Sequence, residues 1–196
     1  MFNKAIKGVK DARMNAVAEY YNALAENYDE LYGVEQLEKY FKALRFISSC
    51  IRDTNKIIDM GCGTALLAQL LKLFDWSGYY LCIDISYNML SKARNRLTEI
   101  GLQYDLLVAD IFSPPLRTIT SACLVSFTVV TEEKHNIFIK RACSILSKGK
   151  LLYTVLFERD LRNSLEVKKR FKIVLSNHEV LDFIDCREND ESSIKR

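Results

Sequence analysis

The chain has 196 residues, of which 49% are apolar, and a net charge of +3. That is enough apolar chain for one packed core, and the charge is too mild to mark a nucleic-acid binder by itself. The longest apolar run, residues 122–130, falls far short of the roughly 20 residues of a membrane span, and Met1–Lys7 lacks the apolar core of a signal peptide. Six cysteines are scattered with no C-x-x-C pair, so reduced thiols, no metal site and a cytoplasmic setting are expected.

Residues 1–13 are mildly basic and read as an arm. A helix is expected from Asn15 to about Tyr32, rich in tyrosine (Tyr20, Tyr21, Tyr28, Tyr32) and stopped at Gly33. A second helix carries Leu37, Tyr40, Phe41, Leu44 and Ile47 at spacings of three and four. A strand from Lys56 to Asp59 follows, then the turn Gly61-Cys62-Gly63 and an amphipathic helix from Leu66. Tyr79–Asp84 reads as a second buried strand, Ser86 to about Ile100 as a helix ended by Gly101, and Tyr104–Asp110 as a third strand. Pro114 and Pro115 make a loop. A fourth strand (Ala122–Val130), a helix from Glu132 to about Leu146, a turn at Ser147–Lys150 and a fifth strand (Leu151–Phe157) come next. A short charged helix over Arg162–Arg170 leads to a hairpin of Phe171–Leu175 and Val180–Ile184. Strands alternating with helices predict parallel βαβ units, with an antiparallel strand supplied by the closing hairpin.

Three successive strands end in a carboxylate, Asp59, Asp84 and Asp110, and the first runs into the glycine turn. Glycine at Gly61 and Gly63 lets backbone approach a ligand at a strand's carboxyl end, where open α/β sheets bind. The third glycine of a dinucleotide fingerprint is replaced by Leu66, and a carboxylate beside the turn suits a ligand with positive charge better than a pyrophosphate.

The pieces Asp59-Met60-Gly61-Cys62-Gly63-Thr64-Ala65, Ile83-Asp84-Ile85-Ser86-Tyr87-Asn88-Met89-Leu90 and Ala109-Asp110-Ile111 resemble the class I S-adenosylmethionine-dependent methyltransferases, from about Tyr20 onward. The resemblance implies an α/β fold: a doubly wound, mostly parallel seven-stranded sheet with an antiparallel terminal strand. It also implies a single domain over 1–196, with residues 1–50 as a helical lid and 56–187 as the core. S-adenosylmethionine is the implied cofactor, bound by Asp59, Gly61, Gly63, Asp84, Ile85, Met89, Asp110, Ile111 and Ser126. Asp59 would favour the positive end, Asp84 would accept the ribose hydroxyls, and Asp110 the adenine amino group, with Ile85 and Met89 on the adenine faces. Two positions depart from the family's pattern: Ala65 stands for a third glycine, and Lys148-Gly149-Lys150 for a Pro-Gly-Gly.

The acceptor is less legible. An Asn/Asp-Pro-Pro-Tyr motif of amino-group methyltransferases is replaced by Ser126-Phe127-Thr128-Val129, which disfavours that chemistry. The tyrosine-rich first helix resembles the lid of small-molecule methyltransferases, which points to Tyr21, Tyr28 and Phe127 for the acceptor. Candidates for a general base are Tyr28, Glu132 and His135. A small molecule is the expected acceptor. Basic residues (Lys92, Arg94, Arg96; Lys168, Lys169, Arg170, Lys172) keep tRNA or rRNA as an alternative, and a non-catalytic S-adenosylmethionine-binding partner protein is a third reading. Oligomeric state is left open.

Overall fold

The computed structural model describes residues 14–161 and 164–186. The expected basic arm at 1–13, the start of the charged helix at Arg162, the last residue of the expected core (187) and the acidic tail beyond it lie outside the described residues.

The elements are α1 (residues 14–24), α2 (Tyr28–Lys42), α3 (Leu44–Asp53), β1 (Lys56–Met60), α4 (Leu66–Leu73), β2 (Tyr79–Asp84), α5 (Tyr87–Ile100), β3 (Gln103–Val108), β4 (Ile119–Thr131), α6 (His135–Ile145), β5 (Leu146–Leu156), α7 (Leu165–Arg170), β6 (Ile173–Val174) and β7 (Glu179–Cys186). The seven strands form one sheet in the order β3-β2-β1-β4-β5-β7-β6. Strands β1 to β5 pair in parallel, β7 runs antiparallel to β5, and β6 runs antiparallel to β7.

The central strands are buried on both faces, so their side chains sort by a period of two. Ile57, Tyr80, Cys82 and Leu152 join the core formed with α3, α4 and α5, while Ile58, Leu81, Ile83 and Leu151 join the one formed with α6 and α7. Fully burying each such side chain contributes about 1.5–3 kcal/mol, which is why continuous apolar runs mark these strands.

Several boundaries differ from the expectations above. Gly33 does not stop a helix: it sits buried inside α2, and the real break is the turn at residues 25–27. A Cβ on Gly33 would have Asp29 and Leu66 as neighbours at 3.9 and 4.0 Å, ordinary contact distances, so alanine would also fit there. Phe41 is 58% exposed, whereas Tyr40 is buried as expected and Gln36 and Lys39 join it on the inward stripe of α2. Ser147–Lys150 is strand rather than turn, because β5 already pairs with β4 at Ala122↔Gly149. A Cβ on Gly149 would meet Ala122 O at 2.3 Å, so glycine permits that approach. Asp110 lies in the loop after β3, not at the end of the strand.

The cysteines also depart from the reduced-thiol reading. Cys50 is joined to Cys123 and Cys143 to Cys186, 73 and 43 residues apart in sequence, and such pairings between remote helices and strands leave no local spacing to read. Cys62 and Cys82 are free and buried.

Candidate functional site

A cavity of about 430 Å³ opens at the carboxyl ends of the parallel strands. Gly61 and Gly63 from the β1–α4 turn line it, together with Asp84, Ile85 and Met89 from the β2–α5 region and Asp110 and Ile111 from the loop after β3. The opposite wall is Phe127, Thr128 and Val129 of β4, and Tyr21 and Tyr28 close it from the N-terminal helices.

The turn is built from backbone bonds. The Gly61 and Cys62 N–H groups both donate to Ile83 O, at 2.7 and 3.1 Å, which ties the turn to the end of β2. Gly61 has φ of 78°, and a Cβ there would come within 2.4 Å of Val129 Cγ2, so only glycine fits. Ala65, where the resemblance anticipates a glycine, is left-handed at φ 59° and fully buried.

Asp84 is the polar centre of this lip. Its Oδ2 accepts from Gly63 N and its Oδ1 from Ser86 N, both at 2.9 Å. Burial raises its pKa, while the N–H groups of Ser86, Gly63 and Ile85 act in the opposite direction. A carboxylate offers about four acceptor directions, so each oxygen retains capacity toward the cavity. Asp110 Oδ1 accepts from Phe112 N at 3.0 Å, which fixes its loop beside Ile111.

Asp59 is not at this lip. Its side chain is 4% exposed, accepts from the Tyr80 hydroxyl, and is absent from the cavity lining. Burial pushes its pKa up to about 7, only partly offset by the Tyr80 bond, with the Asp84 charge adding to the rise. A group that holds its proton up to about pH 7 and is turned inward gives a cationic ligand little direct charge. Ser126 is likewise interior, fully buried and donating to Met60 O at 2.8 Å.

Of the three general-base candidates, Tyr28 lines the cavity. Burial, with Tyr21 and Asp84 nearby, raises the Tyr28 pKa, so its phenol stays protonated and acts as a donor. Glu132 pairs with Arg159 at 3.3 Å and His135 lies in the core, and neither lines the cavity. Tyr153 donates to Asp182 at 3.1 Å and accepts from His135 Nε2 at 2.8 Å. Burial depresses the His135 pKa to about 4, with Arg170 lowering it further and Asp182 opposing.

The roof is latched to the turn by side chains that carry no motif in the sequence. Arg96 donates to Thr64 Oγ1 at 2.8 Å and to Asp29 Oδ2 at 2.5 Å, and Thr64 donates to Asp29 Oδ1 at 2.6 Å. Asn22 Oδ1 accepts from Ser86 Oγ and Asn88 N, at 2.7 and 3.1 Å, and Glu26 pairs with Lys92 at 2.6 Å. Lys92 and Arg96 thus pair with the N-terminal segment, Lys92 with its side chain still 38% exposed, and Arg170 sits 3.5 Å from His135 Nδ1. The Lys168 side chain is outside the described residues.

A strand–glycine turn–helix lip with an acidic side chain at the end of β2, in the strand order above, has a match among known sequences. A family model described as a methyltransferase domain covers residues 57–149. The chain is similar to that family over just under half of its length. It is 33% identical over 101 residues to the ubiquinone/menaquinone biosynthesis C-methyltransferase UbiE of Bordetella avium, covering 50% of this chain and 40% of that relative. The UbiE of Cronobacter sakazakii is 30% identical over 101 residues, covering 47% and 38%. The chain therefore spans about 40% of the length of the curated relatives it matches. Among solved structures, magnesium protoporphyrin IX methyltransferase (ChlM) from Synechocystis PCC 6803 with bound SAM has a TM-score of 0.64 at 15% identity, covering 89% of this chain and 97% of that one. The complex of DhpI with SAH has a TM-score of 0.64 at 14% identity, covering 90% and 98%. At such identities these two carry the methyltransferase fold alone. Among the described residues, no helix is long and apolar enough to cross a membrane.

Proposed function

We propose that the chain transfers a methyl group from S-adenosylmethionine to a small-molecule acceptor, as one domain whose N-terminal helices roof the site. The observation that carries this reading is Asp84. It is a buried carboxylate tied to the glycine turn through Gly63 N and still lining the cavity.

The residues present fit the cofactor. Gly61 and Gly63 leave a cradle that a Cβ at Gly61 would fill. Asp84 would accept the ribose hydroxyls, bonds that a charged acceptor makes about twice as strong as a neutral one. Asp110 would accept from the adenine amino group, beside the Ile111 N–H, with Ile85 and Met89 on the ring faces. When bound, the cofactor supplies an electrophilic methyl group on a sulfonium whose departure leaves a neutral thioether. The protein's share is placement and exclusion of water. Tyr21 and Tyr28, both held neutral by burial, offer hydroxyl donors to an acceptor packed against Phe127 and Val129.

Support for a small acceptor comes from the roofed cavity, from the pairing of Lys92 and Arg96 with the lid, and from the quinone-biosynthesis role that the UbiE relatives are named for. The test has two parts. Calorimetry should register binding of both S-adenosylmethionine and S-adenosylhomocysteine, weakened about 10- to 100-fold in Asp84→Asn, the loss expected for charge-assisted bonds worth about 1.5–3 kcal/mol. Labelled-methyl transfer against fractionated extract should put label in metabolites. Label in RNA overturns the acceptor assignment, and a chain that binds neither nucleoside overturns the whole reading.

A further inference from the structure

Thr128 is β-branched yet has φ of 61°. A left-handed residue of this kind costs about 1–2 kcal/mol and persists only where its surroundings over-determine it. It sits in an irregularity of the β4–β5 pairing: Ser126 opposes Tyr153 and Val130 opposes Val155, so three residues of β4 face one of β5.

The surroundings are a closed polar cluster. Thr128 N–H donates to Thr154 Oγ1 at 2.7 Å. Its hydroxyl accepts from Lys39 Nζ at 3.0 Å and Gln36 Nε2 at 3.2 Å, and donates to Glu179 Oε1 at 3.1 Å. Lys39 Nζ also pairs with Glu179 Oε2 at 2.7 Å and Glu35 Oε1 at 2.8 Å. Gln36, Lys39 and Glu179 are 6%, 3% and 1% exposed. The three ammonium protons and the threonine hydroxyl proton are all engaged within the cluster. It acts on the cavity through the backbone that it fixes.

That backbone matters, because Phe127, Thr128 and Val129 all line the cavity and Val129 packs against Gly61. We propose that Lys39, Gln36 and Glu179 are positioning residues for the methyl acceptor: they hold the 127–129 bulge as the wall against which the acceptor is seated, facing the glycine turn. The proposal rests on the methyltransferase reading above. A buried ion pair contributes little net stability but fixes one arrangement of the groups around it, and here that arrangement is the shape of the acceptor end.

Removing one charge alone strands the other in the core and risks the fold. The test therefore uses the double variant Lys39→Met/Glu179→Leu, which keeps the volume apolar, alongside Thr128→Val and Thr128→Asn. Three quantities are read: hydrogen exchange at the Thr128 amide, with and without S-adenosylhomocysteine; the affinity for S-adenosylhomocysteine; and labelled-methyl transfer into the metabolite fraction.

In the double variant and in Thr128→Val, exchange at that amide should quicken by about tenfold or more as local opening becomes easier. Transfer should fall by a similar factor, about tenfold, with the loss lying in acceptor KM or kcat. Affinity for S-adenosylhomocysteine should stay within about threefold, less than 1 kcal/mol. Thr128→Asn, which tolerates the left-handed region and keeps a hydrogen-bonding side chain, should exchange more slowly than Thr128→Val. Unchanged exchange in the double variant overturns the proposal, as does a loss confined to nucleoside affinity. If the unaltered protein binds no nucleoside, the methyltransferase reading fails, while exchange without ligand still decides whether the cluster holds the bulge.

Discussion

Asp59 stands at the motif position yet is buried against Tyr80 and does not line the cavity. Its pKa is raised to about 7, so between about pH 4 and pH 7 the folded protein keeps a proton that the unfolded chain has released. Stability contributed by the neutral acid is therefore complete below about pH 4 and is lost as pH rises from there through 7. Asp59→Asn, which keeps an oxygen for the Tyr80 hydroxyl, should match the parent near pH 4. At pH 8 it should be more stable by roughly 4 kcal/mol, since each tenfold difference in proton affinity is worth about 1.4 kcal/mol. Urea melts at the two pH values measure this. Nucleoside affinity should change less than about threefold; a loss near that of Asp84→Asn would mean that Asp59 reaches the ligand after all. Both residues end strands in the same sequence pattern. Only Asp84 is followed by a helix start, where its carboxylate meets the Ser86 N–H at the rim. The difference is one of side-chain direction, which strand periodicity does not reveal once both faces of the sheet are buried.

Elements with a strong local signal were legible. The α5 helix starts at the Ser86 cap, which accepts from Met89 N at 3.1 Å, and ends at Gly101 in the left-handed region. The parallel strands followed from their apolar runs. The lid was harder, because Gly33 looked like punctuation while the break lies at 25–27, and because Lys39 and Gln36, which no motif marks, lie on the inward stripe. A polar pair at helical spacing within a buried face was the available hint. Its partner Glu179, 140 positions away, could not be found without the fold. The latch between α2, the glycine turn and α5 allows a prediction at this scale. Arg96→Ala removes charge-assisted bonds to Thr64 and Asp29, each worth about 1.5–3 kcal/mol when shielded and less where water reaches Asp29. S-adenosylhomocysteine should then leave about tenfold faster, a difference near 1.4 kcal/mol, and the melting temperature should fall by a few degrees. Stopped-flow release measures it, and an unaltered rate would mean that the roof opens without breaking this contact.

At the scale of the whole molecule, the two cysteine bridges tie α3 to β4 and α6 to the end of β7. Closing loops of 73 and 43 residues stabilises by about 4 kcal/mol each in the chain-entropy account. Reductant should therefore lower the melting temperature of the oxidised protein by roughly 15–30 °C, and alkylation followed by mass measurement should find two thiols before reduction and six after. A cytoplasmic setting keeps such pairs reduced, so the state of the protein isolated from cells reports on its compartment. The parts of the cavity are also unevenly spread along the chain. The cofactor lip is contributed by residues 61–111, whereas the bulge opposite is braced by Lys39 from an early helix and Glu179 from the last strand. During synthesis, then, the bulge cannot be braced until Glu179 has emerged, well after residues 61–111. A chain cut short before that residue would lack one side of the wall's support.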